Sequence, residues 1–165
     1  MNKIFIPIMI FSLVTNFLNA KPLEIGSPAP EISVVDHENN MIDLGAELNQ
    51  GTTVLFFYPK AMTPGCTQQA CSLRDSWETL KQRNVKIFGI SSDTSKAQAK
   101  FREKHQLPYT LIADTDQVVI KAFGKSRWSR QAYIFKDGKL VWRDLKASTA
   151  NQAEDILAAL DEIDK

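Results

Sequence analysis

One run of residues, 53–58, constrains the fold most, because it is β-branched or aromatic at nearly every position. Side chains alternate between the two faces of a strand, so a strand that is apolar throughout must be covered on both faces. Such a strand lies inside a sheet that carries helices on each side. Pro59 ends the run, and a polar loop follows as far as Gly65. The sequence therefore predicts a central strand whose carboxyl end opens into a loop.

Strand-like and helix-like patterns alternate along the rest of the chain. Further strands are predicted at 85–90 and 109–113, with hairpins that pair 32–35 with 41–44 and 131–135 with 139–143. Helices are predicted at 66–83, 95–105, 118–123 and 148–163. Asp93 or Ser95 is expected to cap the second of these helices. The order predicts an α/β fold: a mixed central sheet with helices on both faces and an added N-terminal β-hairpin.

Residues 1–20 differ from the rest of the chain. One lysine precedes an apolar stretch, and a small residue, Ala20, closes it. This layout is typical of a secretory signal peptide. We expect cleavage after Ala20, a mature single domain at 21–165, and export to the periplasm. A retained anchor or a misassigned start are the alternatives, and without a working leader the protein would be cytoplasmic.

Charge and cysteine content exclude several classes of function. The 20 Lys and Arg residues against 19 Asp and Glu give a net charge of +1. This balance lacks the basic excess of a nucleic-acid-binding protein. Two cysteines are too few for a disulfide scaffold or a four-cysteine zinc site, but they suffice for one redox pair. The two histidines, expected at the surface, suggest no metal site.

The first cysteine lies where a thiol becomes reactive. Cys66 follows the predicted strand and the Pro-containing loop and stands at the start of a predicted helix. Unpaired N–H groups and the helix dipole concentrate positive potential there. In general, such a position lowers the pKa of a cysteine thiol from about 8.5 to about 3.5–7.5. Thr63 can also bring a hydroxyl within reach of the sulfur. We therefore expect Cys66 to be a reactive thiol.

The spacing to the second cysteine suggests a redox switch. Positions five apart in an α-helix are separated by a rise of about 7.5 Å and a rotation of about 140°, which gives a Cα–Cα distance of about 8.7 Å. A disulfide needs at most about 7 Å. Cys66 and Cys71 therefore cannot bond while the helix is intact, and a bond between them requires the first turns to unwind.

Together these residues resemble a known family. The combination of Pro59, Thr63 and Cys66 in a Pro-x-x-x-Thr-x-x-Cys motif is similar to the peroxiredoxin signature. Cys71, five residues later in the same helix, resembles the bacterioferritin comigratory protein (Q-type) group. Arg130 before the strand at 132–135 is a further match, and the resemblance covers roughly residues 22–160.

The resemblance implies a thioredoxin-like fold and thiol-dependent reduction of hydrogen peroxide and organic hydroperoxides. It implies that Cys66 attacks the peroxide, and that Thr63, Gly65 and Arg130 bind and orient it. It also implies that Pro59 shields the sulfur from water. By the same resemblance, Cys71 is expected to resolve the sulfenic acid as a disulfide, which thioredoxin or a thioredoxin-like reductant reopens. The resemblance implies no cofactor and no metal, and a monomer with a weak dimer as the alternative.

Other interpretations remain open at this point. A periplasmic thioredoxin-like thiol–disulfide oxidoreductase would usually carry C-x-x-C, whereas this chain has C-x4-C. A copper chaperone would need a different cysteine spacing and a nearby histidine, and a non-catalytic binding module would leave the Pro-Thr-Cys motif unused. Arg127 is the main rival of Arg130. Most members of the group lack a leader, so an exported member would need a dedicated periplasmic reductant. Residues 124–129 look short, so substrate preference does not transfer from the group.

Overall fold

The computed structural model of the protein describes residues 21–165. The predicted signal peptide, residues 1–20, lies outside the described residues, and its cleavage stays a prediction. The elements follow in the order β1 (Ser33–Val35), β2 (Met41–Asp43), α1 (Leu44–Leu48), β3 (Thr52–Phe57), α2 (Pro64–Asp75), α3 (Trp77–Gln82), β4 (Val85–Ser91), α4 (Ser95–His105), β5 (Thr110–Ala113), α5 (Val118–Ala122), β6 (Gln131–Lys136), β7 (Lys139–Asp144) and α6 (Gln152–Ile163).

The main sheet has five strands in the order β5-β4-β3-β6-β7, with β3 at its centre. Strand β3 runs parallel to β4 and antiparallel to β6. A separate antiparallel hairpin joins β1 and β2. The predicted fold class, a mixed thioredoxin-like sheet with an N-terminal hairpin, is confirmed. At the β6–β7 turn, Asp137 and Gly138 both take a positive φ, as a two-residue hairpin turn requires.

Both faces of β3 are covered, which explains its unbroken apolar run. Val54 and Phe56 pack on one side against helices α2, α3, α4 and α6. Leu55 and Phe57 pack on the other side against α1, α5 and the hairpin. The prediction of helices on both faces is therefore confirmed.

Several predicted helix boundaries need correction. The single helix expected at 66–83 is two helices, because Ser76 leaves helical geometry at φ −100° and ψ 8°. After this bend Trp77 packs on the ring of Tyr109, with centroids 6.2 Å apart. Thr94, rather than Asp93 or Ser95, caps α4, because its side chain accepts a hydrogen bond from the backbone N–H of Ala97. Helix α1 was not predicted, and α6 begins at Gln152 instead of residue 148.

The expectation of a surface position was wrong for His37, which is buried. The Nδ1 of His37 accepts a hydrogen bond from the backbone N–H of Leu111 at 3.3 Å, and the backbone N–H of His37 donates to the carbonyl oxygen of Leu111. The residue thus ties the N-terminal hairpin to the edge of the main sheet, a tertiary contact that its local sequence does not reveal.

Within residues 21–165, no helix is both long and apolar enough to cross a membrane.

Lys125 is a buried cation behind the central strand. Its side chain is 9% exposed, and its Nζ lies 4.8 Å from the centroid of the Phe57 ring. The ammonium donates to the carbonyl oxygen of Ser126 at 2.9 Å. Burial lowers the pKa of Lys125 to about 8, against an opposing attraction from Asp114.

We expect Lys125→Met to be more stable than the wild type at pH 7, by about 1–3 kcal/mol after allowance for residual solvation. An unfolded lysine keeps its proton up to about pH 10.4, whereas folded Lys125 releases it near pH 8. Between these values the unfolded state binds more protons, so wild-type stability rises with pH and the advantage of the variant shrinks. Urea denaturation of the reduced proteins at pH 7 and pH 10 measures both effects. Lys121→Met, at an exposed lysine, is the control, and an equal effect at both pH values would contradict the prediction.

Candidate active site

Cys66 lies at the carboxyl end of the central strand, in the first turn of α2. Thr63 is the N-cap residue in an extended conformation, and Pro64 follows as the first helical residue. Proline suits that place because its φ is helical and it has no N–H to leave unpaired. Cys66, the third residue of α2, is fully buried. The open N–H groups and the positive end of the helix dipole therefore lie beside its sulfur.

Arg130 brings a full positive charge to the same sulfur. Its Nη1 lies 3.2 Å from Cys66 Sγ. The sheet register accounts for this contact: Gln131 pairs with Phe57 at the carboxyl end of β3, so the residue before it stands at the mouth of the loop. A guanidinium so close favours a thiolate over a neutral thiol. The predicted pairing of Arg130 with Cys66 is present in the structure.

Arg127, the rival arginine, is not at the site. It is exposed, and its guanidinium lies 4.7 Å from the centroid of the Trp128 ring. Trp128 itself is 64% exposed. Of the two arginines, only Arg130 contacts the sulfur in this structure.

Gly65 leaves the room that the guanidinium occupies. A Cβ at this position would lie 2.9 Å from Arg130 Nη2 and 3.5 Å from the Thr149 methyl carbon. Any larger residue would therefore push the arginine side chain away from the start of α2. Glycine at this position therefore allows the close approach of Arg130 to the start of α2.

Pro59 and Thr63 lie in the loop that leads from β3 to Cys66, and both are half-buried. The Thr63 hydroxyl donates its hydrogen to the carbonyl oxygen of Lys60 at 2.9 Å. This bond fixes the hydroxyl and leaves its oxygen free to accept a hydrogen bond. That this hydroxyl comes within reach of the sulfur stays a prediction; the hydrogen bond that the structure gives it is to the loop backbone.

Two buried glutamines were missed as parts of the site. The Oε1 of Gln69 accepts a hydrogen bond from Arg130 Nη1 at 3.1 Å, and its Nε2 donates to Gln152 Oε1 at 2.8 Å. Arg130 is therefore held by α2 and, through the glutamine pair, by α6. The Nε2 of Gln152 is the one buried side-chain polar atom of residues 21–165 without a hydrogen-bond partner. Helical spacing places Gln69 three residues after Cys66 on the buried face, a signal that could have identified it.

Cys71 lies in the middle of the same helix and is half-buried. Both cysteines are free, and α2 is continuous past them. Burial raises the pKa of the Cys71 thiol, while the charge of Arg74 opposes that rise. The helix is held at this point because the Tyr109 hydroxyl donates to the Ala70 carbonyl oxygen at 2.7 Å. Helix α2 is therefore intact in the described structure, and in an intact helix the two cysteines are too far apart to form a disulfide.

The arrangement can perform nucleophilic thiol chemistry. The buried sulfur of Cys66 at the helix N-terminus is the nucleophile, and the Arg130 guanidinium, 3.2 Å away, is its charge partner. Cys71 supplies a second thiol in the same helix. Within the described residues no group of three or more His, Cys, Asp and Glu side chains is placed to hold a metal ion.

Comparison with known proteins gives a consistent set of similarities. The AhpC/TSA family profile matches residues 25–143. The chain is 39% identical over 115 residues to peroxiredoxin Bcp of Escherichia coli strain K12, which covers 70% of this chain and 72% of that protein. The crystal structure of peroxidoxin BcpB from Mycobacterium tuberculosis superposes with a TM-score of 0.79 and 31% identity, over 86% of this chain and 98% of the other. A bacterioferritin comigratory protein from Xanthomonas campestris, described in terms of alkyl peroxide reduction, gives a TM-score of 0.77 and 26% identity over 87% and 98%.

Proposed function

Because the chain belongs to the AhpC/TSA family and is a thiol-dependent peroxidase of the Bcp group, we propose that it reduces peroxides in two thiol steps, with Cys66 as the nucleophile and Cys71 as the resolving thiol. The observation that carries this proposal is the distance of 3.2 Å between Arg130 Nη1 and Cys66 Sγ at the first turn of α2. Hydrogen peroxide and organic hydroperoxides are the proposed substrates.

In the first step the Cys66 thiolate attacks one oxygen of the peroxide and the O–O bond breaks. The sulfur becomes a sulfenic acid, and the leaving oxygen takes a proton to give water or an alcohol. Arg130 and the free lone pairs of the Thr63 oxygen orient the peroxide, and Gly65 contributes by leaving the room that the guanidinium occupies. Pro59 limits the access of water. Of these groups, Arg130 is the donor that acts on the negative charge that develops as the O–O bond breaks, where fixed donors have the largest effect.

In the second step Cys71 attacks the sulfenic sulfur, which forms a Cys66–Cys71 disulfide and releases water. The first turns of α2 unwind for this bond, since an intact helix keeps the two Cα atoms about 8.7 Å apart and a disulfide needs at most about 7 Å. The unwinding gives up the Arg130 contact of Cys66 and the Gln69–Gln152 bond. A thioredoxin-like protein reopens the disulfide by two thiol exchanges.

The proposal extends to compartment and assembly. Export of residues 21–165 to the periplasm rests on the sequence of residues 1–20 alone, and an exported enzyme needs a reductant in that compartment. The assembly proposed from the resemblance is a monomer, with a weak dimer as the alternative. A thioredoxin-like disulfide exchanger is the alternative, and reduction of insulin disulfides at a rate that exceeds the reaction with peroxide would favour it.

We expect one equivalent of hydrogen peroxide to consume both thiols of the reduced protein. Rapid acid quenching, a thiol count and peptide mapping by mass spectrometry should locate one Cys66–Cys71 disulfide. In Cys71→Ser, the same treatment should consume one thiol and leave a sulfenic acid on Cys66, which dimedone traps. Survival of both thiols in the wild type would overturn the proposal.

A further inference from the structure

We propose that Asp93 is a positioning residue: its carboxylate holds the loop before Cys66 in the form that reacts with peroxide, and so sets the balance between folded and unwound α2. Asp93 has no part in the motif around Cys66 and is contributed by a different βα connection. The inference rests on the proposed function, because it concerns the same two thiol steps.

The loop between β3 and α2 contains a strained residue. Met62 takes a φ of 65°, a left-handed backbone conformation that is unfavourable for residues other than glycine. Its side chain is 42% exposed, so packing of the side chain does little to fix this conformation. Within the loop, the bond from the Thr63 hydroxyl to the Lys60 carbonyl oxygen spans Met62, and a second bond, from outside the loop, holds the neighbouring Ala61.

Asp93 holds that neighbour. Its Oδ2 accepts a hydrogen bond from the backbone N–H of Ala61 at 2.7 Å. The same oxygen accepts a hydrogen bond from the Ser91 hydroxyl at 2.7 Å. Strands β3 and β4 are parallel, so the loops that follow them both leave from the carboxyl end of the strands. This accounts for the contact between Ala61 and Asp93 across 32 residues of sequence.

A buried polar cluster fixes Asp93 from behind. Gln98 Nε2 donates to Ser91 Oγ at 2.9 Å and to the Ile112 carbonyl oxygen at 2.9 Å. Gln98 Oε1 accepts from the hydroxyl of Tyr58 at 2.5 Å, and both Gln98 and Ser91 are fully buried. Tyr58 is the first residue of the loop, so this cluster holds the loop at its start and at Ala61. The cluster members lie on β4, α4 and β5, outside the helix that must unwind.

The left-handed backbone of Met62 and the Ala61–Asp93 hydrogen bond have opposite effects on the unwinding of α2. Unwinding of α2 transmits a pull through Pro64 and Thr63 to Met62, and it allows Met62 to leave its left-handed conformation. The Ala61–Asp93 bond resists the same movement. Asp93 therefore preserves the site for the peroxide step and slows the formation of the disulfide.

The test compares three variants of the reduced full-length protein by rapid mixing with hydrogen peroxide. In Asp93→Ala, the rate constant for oxidation of Cys66 should fall about tenfold, as expected for one lost charge-assisted bond, while disulfide formation from the sulfenic acid speeds up severalfold. In Asp93→Asn, both rates should stay near the wild type, because one amide oxygen can take the place of Oδ2 for both donors. Asp43→Ala is the matched control: it removes a carboxylate bond to the Ala46 N–H at 2.9 Å, at the start of α1, which packs on the opposite face of the sheet from Cys66.

Two further measurements extend the test: the first needs no peroxide, and the second does not use Asp93→Ala. Hydrogen exchange of the amides at 62–71 in the reduced protein should be faster in Asp93→Ala and unchanged in Asp93→Asn. Met62→Gly, which relieves the left-handed backbone, should slow disulfide formation.

The outcomes are distinguishable. A wild-type protein that does not react with peroxide overturns the proposed function itself. A reactive wild type in which Asp93→Ala matches Asp43→Ala, or in which both rates fall together, overturns the role of Asp93. Opposite changes of the two rates, restored by asparagine, support it.

Discussion

Replacing Cys66 by serine is expected to abolish peroxide consumption, with a rate at least about a thousandfold below the wild type. A serine hydroxyl in the same place stays protonated, so the charge of Arg130 and the helix dipole have no thiolate to stabilise. The loss of hydrogen peroxide with dithiothreitol as the reductant measures the effect. The substitution is close to isosteric at a fully buried position, so the fold should persist.

Cys71→Ser is the control for this loss. It also removes one sulfur from α2, but it should retain the first oxidation at the wild-type rate in a single turnover. Thermal unfolding of both variants checks that neither loses the fold. Peroxide consumption by Cys66→Ser within tenfold of the wild type would rule out this residue as the nucleophile.

The sequence predicted the centre of the fold well because the relevant signals are local. A strand that is apolar on both faces has few alternatives to a covered central position, and β3 occupies that position. The start of α2 was predicted only two residues late, at Cys66 instead of Pro64, because the loop with its prolines and the helical spacing after it are local signals. The helix break at Ser76 was not, because it accompanies the packing of Trp77 on Tyr109, a contact between distant parts of the chain.

The remainder of the site depends on register, which local patterns do not encode. Arg127 and Arg130 are equivalent as charges in the sequence, and only the pairing of β6 with β3 brings Arg130 to the sulfur. Asp93 was expected to cap α4, but Thr94 takes that role, and the carboxylate of Asp93 contacts the loop before Cys66. In each case the deciding partner lies on a neighbouring strand, whose alignment only the folded sheet defines.

Arg130→Met is expected to lower the rate constant for the reaction of Cys66 with hydrogen peroxide by about a hundredfold. The guanidinium contacts both the sulfur and Gln69 through Nη1, and methionine keeps the volume without the charge or the donors. Arg130→Lys should also fall, by about tenfold, because a single ammonium on a shorter side chain does not reproduce the planar guanidinium. Rapid-mixing kinetics in the Cys71→Ser background measure the first step alone.

Arg127→Met is the matched control, and it should stay within about twofold of the parent protein, because Arg127 lies exposed on Trp128. Iodoacetamide separates the two tasks assigned to Arg130, since alkylation needs the Cys66 thiolate but no group that binds peroxide. If Arg130→Met loses far more of its rate with peroxide than with iodoacetamide, the guanidinium acts on the breaking O–O bond as well as on the sulfur. An equal loss in both reactions would confine its role to the thiolate, and Thr63 and the helix N-terminus would then have to orient the peroxide.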